Sequence, residues 1–223
     1  MLTAELSALF PRRLAAVIRW HDPEQAFEAA LVAARAGVGS VEITTGTPGA
    51  FNSIRALRQR TDIVHGCAFG AGTVTDVDLA SRAIDAGAEF LVTPYLVPAV
   101  ARVAARAGVP VVMGALTPTE IAQALELGAQ LVKVFPAAPI GGPAYIRAVR
   151  GPMPQTPLWV SGGVGIEECQ EYLLAGADVV GLTNDLFRPS LLLAEDWVGL
   201  ASLCQLALAS TEAATQLRPT SPV

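Results

Sequence analysis

The sequence predicts a single-domain α/β protein, a (β/α)8 barrel, on three observations. One phrase recurs along the chain: "ARAGVGSVEIT", "DAGAEFLVTP", "RAGVPVVMGA", "ELGAQLVKVFP" and "LAGADVVGLT". Each reads as a helix end, a glycine, and a short apolar run that stops at a polar residue or proline. The segments between these runs have the period of helices, so strands and helices alternate. Eight such units fit in 223 residues, and no early G-x-G-x-x-G marks an open nucleotide-binding sheet, so the closed barrel is favoured over a doubly wound one.

In chain order, the first strand is "AAVIR" (15–19). The helix after it, "DPEQAFEAALVAARAG", opens on Asp22 as N-cap with Pro23 at the first helical position. "SVEIT" (40–44) and "DIVHGCAFGAG" (62–72) supply the second and third strands, and the next helix, "TDVDLASRAIDAG", opens on Thr75. "EFLVTP" (89–94) and "PVVMGAL" (110–116) follow. "TPTEIAQALELG" then sets Thr117 three residues before Glu120, the pattern of a capping box. "QLVKVFP" (130–136), "LWVSGG" (158–163) and "DVVGLT" (178–183) complete the eight. Gly37, Gly87, Gly108, Gly128 and Gly176 suit helix C-caps, where glycine takes the left-handed conformation cheaply. The strands are nearly continuous apolar runs, as in a parallel sheet covered on both faces. The barrel is assigned to residues 1–210. The segment "STEAATQLRPTSPV" lacks apolar periodicity, so 211–223 is expected to be a flexible tail.

Hydrophobic residues make up 52% of the chain and charged residues 16%, against about 25% charged in an average soluble domain, so much of the chain must be buried. The net charge is −5 and no basic stripe stands out, which argues against nucleic acid or an anionic membrane surface as partner. No run of about 20 residues lacks charge, so no transmembrane helix is indicated. "MLTAELSALFPRR" carries its acid before its arginines, the wrong order for a secretory signal. Cys67, Cys169 and Cys204 lie far apart with no C-x-x-C, which suits ordinary thiols in a reducing cytoplasm. His21 and His65 are too few for a histidine-rich metal centre, and no metal or cofactor is expected.

The polar exceptions inside the apolar strands carry the chemistry. Lys133 is the only lysine of the chain, and it sits in "LVKVF". Strand residues alternate faces. Val132 and Val134 therefore share one face, and Leu131, Lys133 and Phe135 the other. In "SVEIT", Val41 and Ile43 share a face opposite Ser40, Glu42 and Thr44. The helix layer needs the valine and isoleucine faces, so Lys133 and Glu42 both point into the barrel near its C-terminal end, where barrel enzymes work. Burial disfavours an ammonium, and the free amine is the nucleophile that a ketone requires. The same pair also fits a structural ion pair inside the barrel. "VSGGVG" (160–165) and "VGLTND" (180–185) end the seventh and eighth strands and open helices, the usual phosphate position of such barrels. "GAGTV" (70–74) allows close backbone approach and offers the Thr73 hydroxyl. Arg19, ending "AVIR", is placed to clamp a carboxylate.

Taken together and in this order, "VEIT", "GAGTV", "VTP", "VKVFPA" and "SGGV" resemble the pyruvate-forming class I aldolases. These comprise the 2-keto-3-deoxy-6-phosphogluconate (KDPG) and 4-hydroxy-2-oxoglutarate (KHG) aldolases, with the related 2-keto-3-deoxy-6-phosphogalactonate enzymes. The likeness spans roughly residues 14–190. It implies a (β/α)8 barrel, a homotrimer, no metal, and pyruvate and 2-keto acids as small-molecule ligands. By the same resemblance Lys133 matches the lysine that forms the Schiff base and Glu42 the general acid/base. Arg19 matches a carboxylate-binding arginine, while Thr73, Pro94 and Phe135 match pocket positions. Ser161, Gly162 and Gly163 match one phosphate loop, with Thr183 and Asn184 at the second.

The sequence departs from that pattern in places. Many relatives carry an arginine four residues past the glutamate, where this chain has Gly46. The second phosphate loop is usually Gly-Gly-Ser or Gly-Ser, where this chain has Thr183-Asn184. The stretch before "GAGTV" is longer, leaving His65 and Cys67 without a counterpart. The implied activity is reversible cleavage of a 2-keto-4-hydroxy acid to pyruvate and an aldehyde, glyceraldehyde 3-phosphate or glyoxylate. Oxaloacetate decarboxylation by the same lysine, and a non-catalytic sugar-acid or phosphate-binding barrel, are the alternatives.

Overall fold

The structure is a computed structural model and describes residues 2–60 and 66–217. Its centre is a closed barrel of parallel strands in sequence order. The strands are β1 (Leu14–Ile18), β2 (Ser40–Thr44), β3 (Ala68–Gly72), β4 (Leu91–Val92), β5 (Val111–Ala115), β6 (Leu131–Val134), β7 (Leu158–Ser161) and β8 (Val179–Leu182). The ring closes where β1 pairs with β8. The helices are α1 (Ala4–Leu9), α2 (Pro23–Arg35), α3 (Ala50–Arg58), α4 (Val77–Asp85), α5 (Pro98–Ala107), α6 (Pro118–Glu126), α7 (Gly142–Arg150), α8 (Cys169–Leu174), α9 (Pro189–Leu193) and α10 (Trp197–Leu217). A single 3-10 turn, Ile166–Glu168, precedes α8.

Strand alternation divides the apolar side chains into two cores. Val41, Ile43, Val132 and Val134 face outward and pack with buried helix residues such as Ala29, Ile54 and Ile121. Val17, Val92, Val112, Leu131, Trp159 and Val179 face inward and form a separate cluster. Leu6 and Phe10 belong to that inner cluster. The ring of Phe10 lies 5.1 Å from that of Phe90 and 5.3 Å from that of Trp159, both edge-on. The segment from α1 to Phe10 therefore stoppers the barrel beneath the strands. Thr3 caps α1 by accepting from the Leu6 N–H at 3.3 Å.

Local signals account for most boundaries. Asp22 accepts from the N–H groups of Glu24 and Gln25, and Thr117 with Glu120 forms a complete capping box on α6. The five glycines read as C-caps all have positive φ, between 67° at Gly108 and 118° at Gly176.

Four expectations shift. Helix α4 is capped by Asp76, whose carboxylate accepts from Leu79 N–H, one residue after the anticipated Thr75. Asp is the stronger acceptor where both neighbours compete for the cap. Strand β3 starts at Ala68 because Gly66 turns with φ 74°. The earlier part of that expected strand, with His65, lies outside the described residues. Strand β4 is shorter than "EFLVTP", since Pro94 has no N–H to donate and Thr93 turns back to bond the Tyr95 carbonyl at 2.7 Å. Finally, 211–217 is not a loose tail but the end of α10. Thr211 and Ala214 are buried there, and Arg12 pairs with Glu212. The buried stripe is built from Ala207, Thr211 and Ala214, residues too small to register as apolar periodicity. Residues 218–223 lie outside the described part.

Among the described residues, no helix is long and apolar enough to cross a membrane.

Candidate active site

Glu42 is the third residue of β2 and Lys133 the third of β6. These strands stand opposite each other in the eight-strand ring, so the two side chains meet near its axis. Lys133 Nζ donates to both carboxylate oxygens of Glu42, at 3.1 Å to Oε2 and 3.3 Å to Oε1. Glu42 is 1% exposed and Lys133 7%. Room for the carboxylate comes from the neighbouring strand: a Cβ on Gly72 would fall 1.9 Å from Glu42 Oε1.

The pair is not sealed in. It borders a cavity of about 240 Å³ at the C-terminal end of the strands. Arg19, Thr73, Pro94 and Phe135 line the same cavity, as do Ser161, Gly162, Gly163, Thr183 and Asn184. The residues singled out from the sequence are thus brought together around one opening. Val17 lines it as well and escaped the sequence reading. Its signal was present, since alternation in "AAVIR" turns Val17 inward, two residues below Arg19.

Arg19 and Thr73 form a linked wall. Arg19 Nη2 donates to Thr73 Oγ1 at 3.2 Å. Thr73 has φ 58°, a left-handed conformation that a β-branched residue adopts only under constraint. That constraint is visible: Thr45 Oγ1 donates to the Thr73 carbonyl at 2.9 Å, and Val74 N–H bonds the Val92 carbonyl at 3.0 Å. The strained backbone aims the hydroxyl at the guanidinium.

The opposite wall is the turn after β7. Gly162 and Gly163 take consecutive φ values of 90° and 78°. A Cβ on Gly162 would sit 2.9 Å from the Phe135 ring, so only glycine lets the turn lie against the segment that follows β6. Ser161 Oγ is committed to the Gly181 carbonyl at 3.0 Å. The helix start beyond differs from a vacant anion site. Gly165 N–H bonds Glu168 Oε2 at 2.9 Å, and Ile166 N–H bonds Asp185 Oδ2 at 2.7 Å. The chain's own carboxylates occupy these donors, so an anion in the cavity would meet the 162–164 turn instead. After β8, α9 begins only at Pro189, with Thr183 and Asn184 in the intervening turn.

Gly46 lies apart, bordering a second cavity with Arg55 and Arg82. Around the Lys133 cavity the charged lining side chains are Arg19, Lys133 and Glu42. Cysteine is poorly suited as an alternative nucleophile. Burial pushes the thiols of Cys67, Cys169 and Cys204 up to about 12, helped at Cys67 by Glu89 and at Cys169 by Asp185 and Glu168. Among the described residues, no group of three or more His, Cys, Asp or Glu side chains could hold a metal ion.

Comparison with known proteins adds independent findings. A family model described as KDPG and KHG aldolase matches residues 7–203. The chain is 33% identical over 181 residues to a probable 2-dehydro-3-deoxy-6-phosphogalactonate aldolase of Rhizobium meliloti, covering 81% of this chain and 84% of that protein. It is 35% identical over 162 residues to a 2-dehydro-3-deoxy-phosphogluconate aldolase of Treponema pallidum, covering 72% of this chain and 75% of that one. A solved structure described as native KDPGal superposes with a TM-score of 0.82 at 30% identity, over 92% of this chain and 96% of the other.

Proposed function

The chain belongs to the KDPG and KHG aldolase family and is a carbon–carbon lyase, and from that premise we propose that it works by Schiff-base chemistry on Lys133. The substrate class is a 2-keto-4-hydroxy acid of the kind named by its relatives, either a 2-keto-3-deoxy-6-phospho-sugar acid or 4-hydroxy-2-oxoglutarate. The products are pyruvate and glyceraldehyde 3-phosphate or glyoxylate. The observation that carries the reading is the Lys133–Glu42 contact of 3.1 Å at the floor of an open cavity. An amine and a carboxylate in direct contact can exchange a proton without water.

In this reading the ammonium of Lys133 passes its proton to Glu42, and the free amine adds to the C2 ketone. Glu42 returns the proton as the carbinolamine oxygen leaves as water, and the nitrogen becomes an iminium. Glu42 then takes the C4 hydroxyl proton. The C3–C4 bond breaks, its electron pair moves into the iminium, and the aldehyde departs. Glu42 protonates C3 of the enamine, and water hydrolyses the resulting iminium to pyruvate and free lysine. Arg19, steadied by Thr73, binds the C1 carboxylate. The turn at Ser161–Gly162–Gly163 and the Thr183–Asn184 turn face the distal end of the substrate. The homotrimer and the cytoplasmic location belong to the same proposal, and sedimentation analysis tests the first of these.

The experiment is a pyruvate-release assay with each candidate acid. Release by the wild-type protein and none by Lys133→Arg supports the reading. Equal release by both proteins contradicts it, because a guanidinium stays protonated and forms no imine.

A further inference from the structure

Beneath Lys133 lies a residue that the mechanism above does not use. Trp159 is the register partner of Lys133 on the adjacent strand β7. Lys133 Nζ sits 5.3 Å from the centre of its ring, closer than the 5.8 Å to Phe135. Trp159 is fully buried, with Phe10 packed edge-on at 5.3 Å below it. Space for the indole is provided by Gly181 on β8, where a Cβ would fall 2.3 Å from Trp159 Nε1. Among the described residues that indole N–H has no hydrogen-bond partner. A buried donor without an acceptor is unfavourable, a cost that the smaller phenylalanine ring would not carry. The indole does offer one thing the smaller ring offers less well, the strongest π face for a cation.

We propose that Trp159 is a positioning residue for Lys133, its indole face holding Nζ in place and stabilising the iminium that forms on that atom. This rests on the Schiff-base reading. Glu42 cannot serve as a constant counter-charge, since it alternates between carboxylate and acid as protons move. The indole face does not change through the cycle. Phe10 fixes the ring from below, so the stopper at the barrel floor supports the reacting nitrogen.

The test combines a spectroscopic and a kinetic arm. The chain has three tryptophans, so Trp20→Phe with Trp197→Phe leaves Trp159 as the sole indole. Pyruvate should then change its emission saturably, and the change should vanish with Lys133→Met. Separately, Trp159→Leu should lower kcat roughly tenfold or more, while Trp159→Phe, which keeps a weaker π face, stays within about threefold of wild type. Borohydride trapping of pyruvate is run on every variant. If pyruvate is trapped on Lys133 but the emission is unmoved, or if the Leu variant matches the Phe variant, the inference is overturned and the Schiff-base reading stands. Absence of any Lys133 adduct in the wild type overturns both. Should Trp159→Leu fail to fold, the emission result and the Phe variant decide the matter.

Discussion

At the scale of single residues, Lys133 and Glu42 neutralise each other across the barrel axis, and removing either charge leaves the other buried. Glu42→Gln should therefore do two separable things. It removes the proton shuttle, lowering kcat by about 100-fold to 10,000-fold. It also leaves a cation without its anion, which costs about 3–5 kcal/mol of stability, read as a lower Tm. A loss of activity with no change in Tm would mean that the pair is not an ion pair in the resting protein. Arg19→Met should raise KM for the keto acid more than it lowers kcat, since its assigned contact is to the non-reacting carboxylate. An unchanged KM would remove Arg19 from the site. The thiols provide a simpler check. With their values pushed up to about 12, Cys67, Cys169 and Cys204 are almost wholly protonated at pH 8. Intact-mass measurement should show no alkylation by iodoacetamide until the protein is unfolded. The pattern of Lys133 and Glu42 was legible in the sequence because an ionisable residue in a β-run is conspicuous and alternation gives its direction. For Val17 and Trp159 alternation gave only the inward direction, because apolar residues in a core position look the same whether or not they touch the chemistry.

Elements are governed by their ends, and α6 shows this most clearly. Glu120 Oε2 accepts from both Leu116 N–H and Thr117 N–H at 2.8 Å. Those backbone bonds, first from Thr117, hold its carboxyl below the ordinary range. A carboxylate with a lowered folded value stabilises the protein above its unfolded value and loses that contribution as pH falls through the folded one. Thr117→Ala should cost about 1 kcal/mol, measured by denaturant unfolding at neutral pH. Glu120→Gln keeps the capping geometry but cannot titrate, so the acid-side loss of stability should be smaller in that variant than in wild type. Equal acid sensitivity would show that the charge of Glu120 contributes nothing measurable to the box. Caps of this kind, and the C-cap glycines, were readable because one residue type at one position carries the signal. The start of α4 was misplaced because Thr75 and Asp76 are both competent caps and only the hydrogen bond decides between them. The helix opening after "VSGGVG" was read as a phosphate position, yet the N–H groups of Gly165 and Ile166 are already bonded to carboxylates. The acids that satisfy them come from position 168 and, in the neighbouring turn after β8, from Asp185. The second of these is a tertiary contact that local pattern does not carry.

The whole molecule is a barrel that is stoppered at its N-terminal end and open at its C-terminal end, so that the cavity at Lys133 opens to one side. The eight strands and their order were legible because the glycine-then-apolar phrase repeats. The stopper was not, because α1 is only six residues long and the ring partners of Phe10 at its end, Phe90 and Trp159, are distant in sequence. Phe10→Ala should cost about 3–5 kcal/mol in unfolding experiments, since it empties the floor of the barrel. The account's central claim is that this chain's one lysine is the reacting amine, and a single measurement tests it directly. The protein is incubated with pyruvate and borohydride, and its intact mass and peptide map are read. Lys133 competes only with the N-terminal amine, so assignment is unambiguous. A reduced pyruvyl adduct on the peptide holding Lys133 is the predicted result. Pyruvate release from a keto acid with no adduct at that lysine would contradict the account.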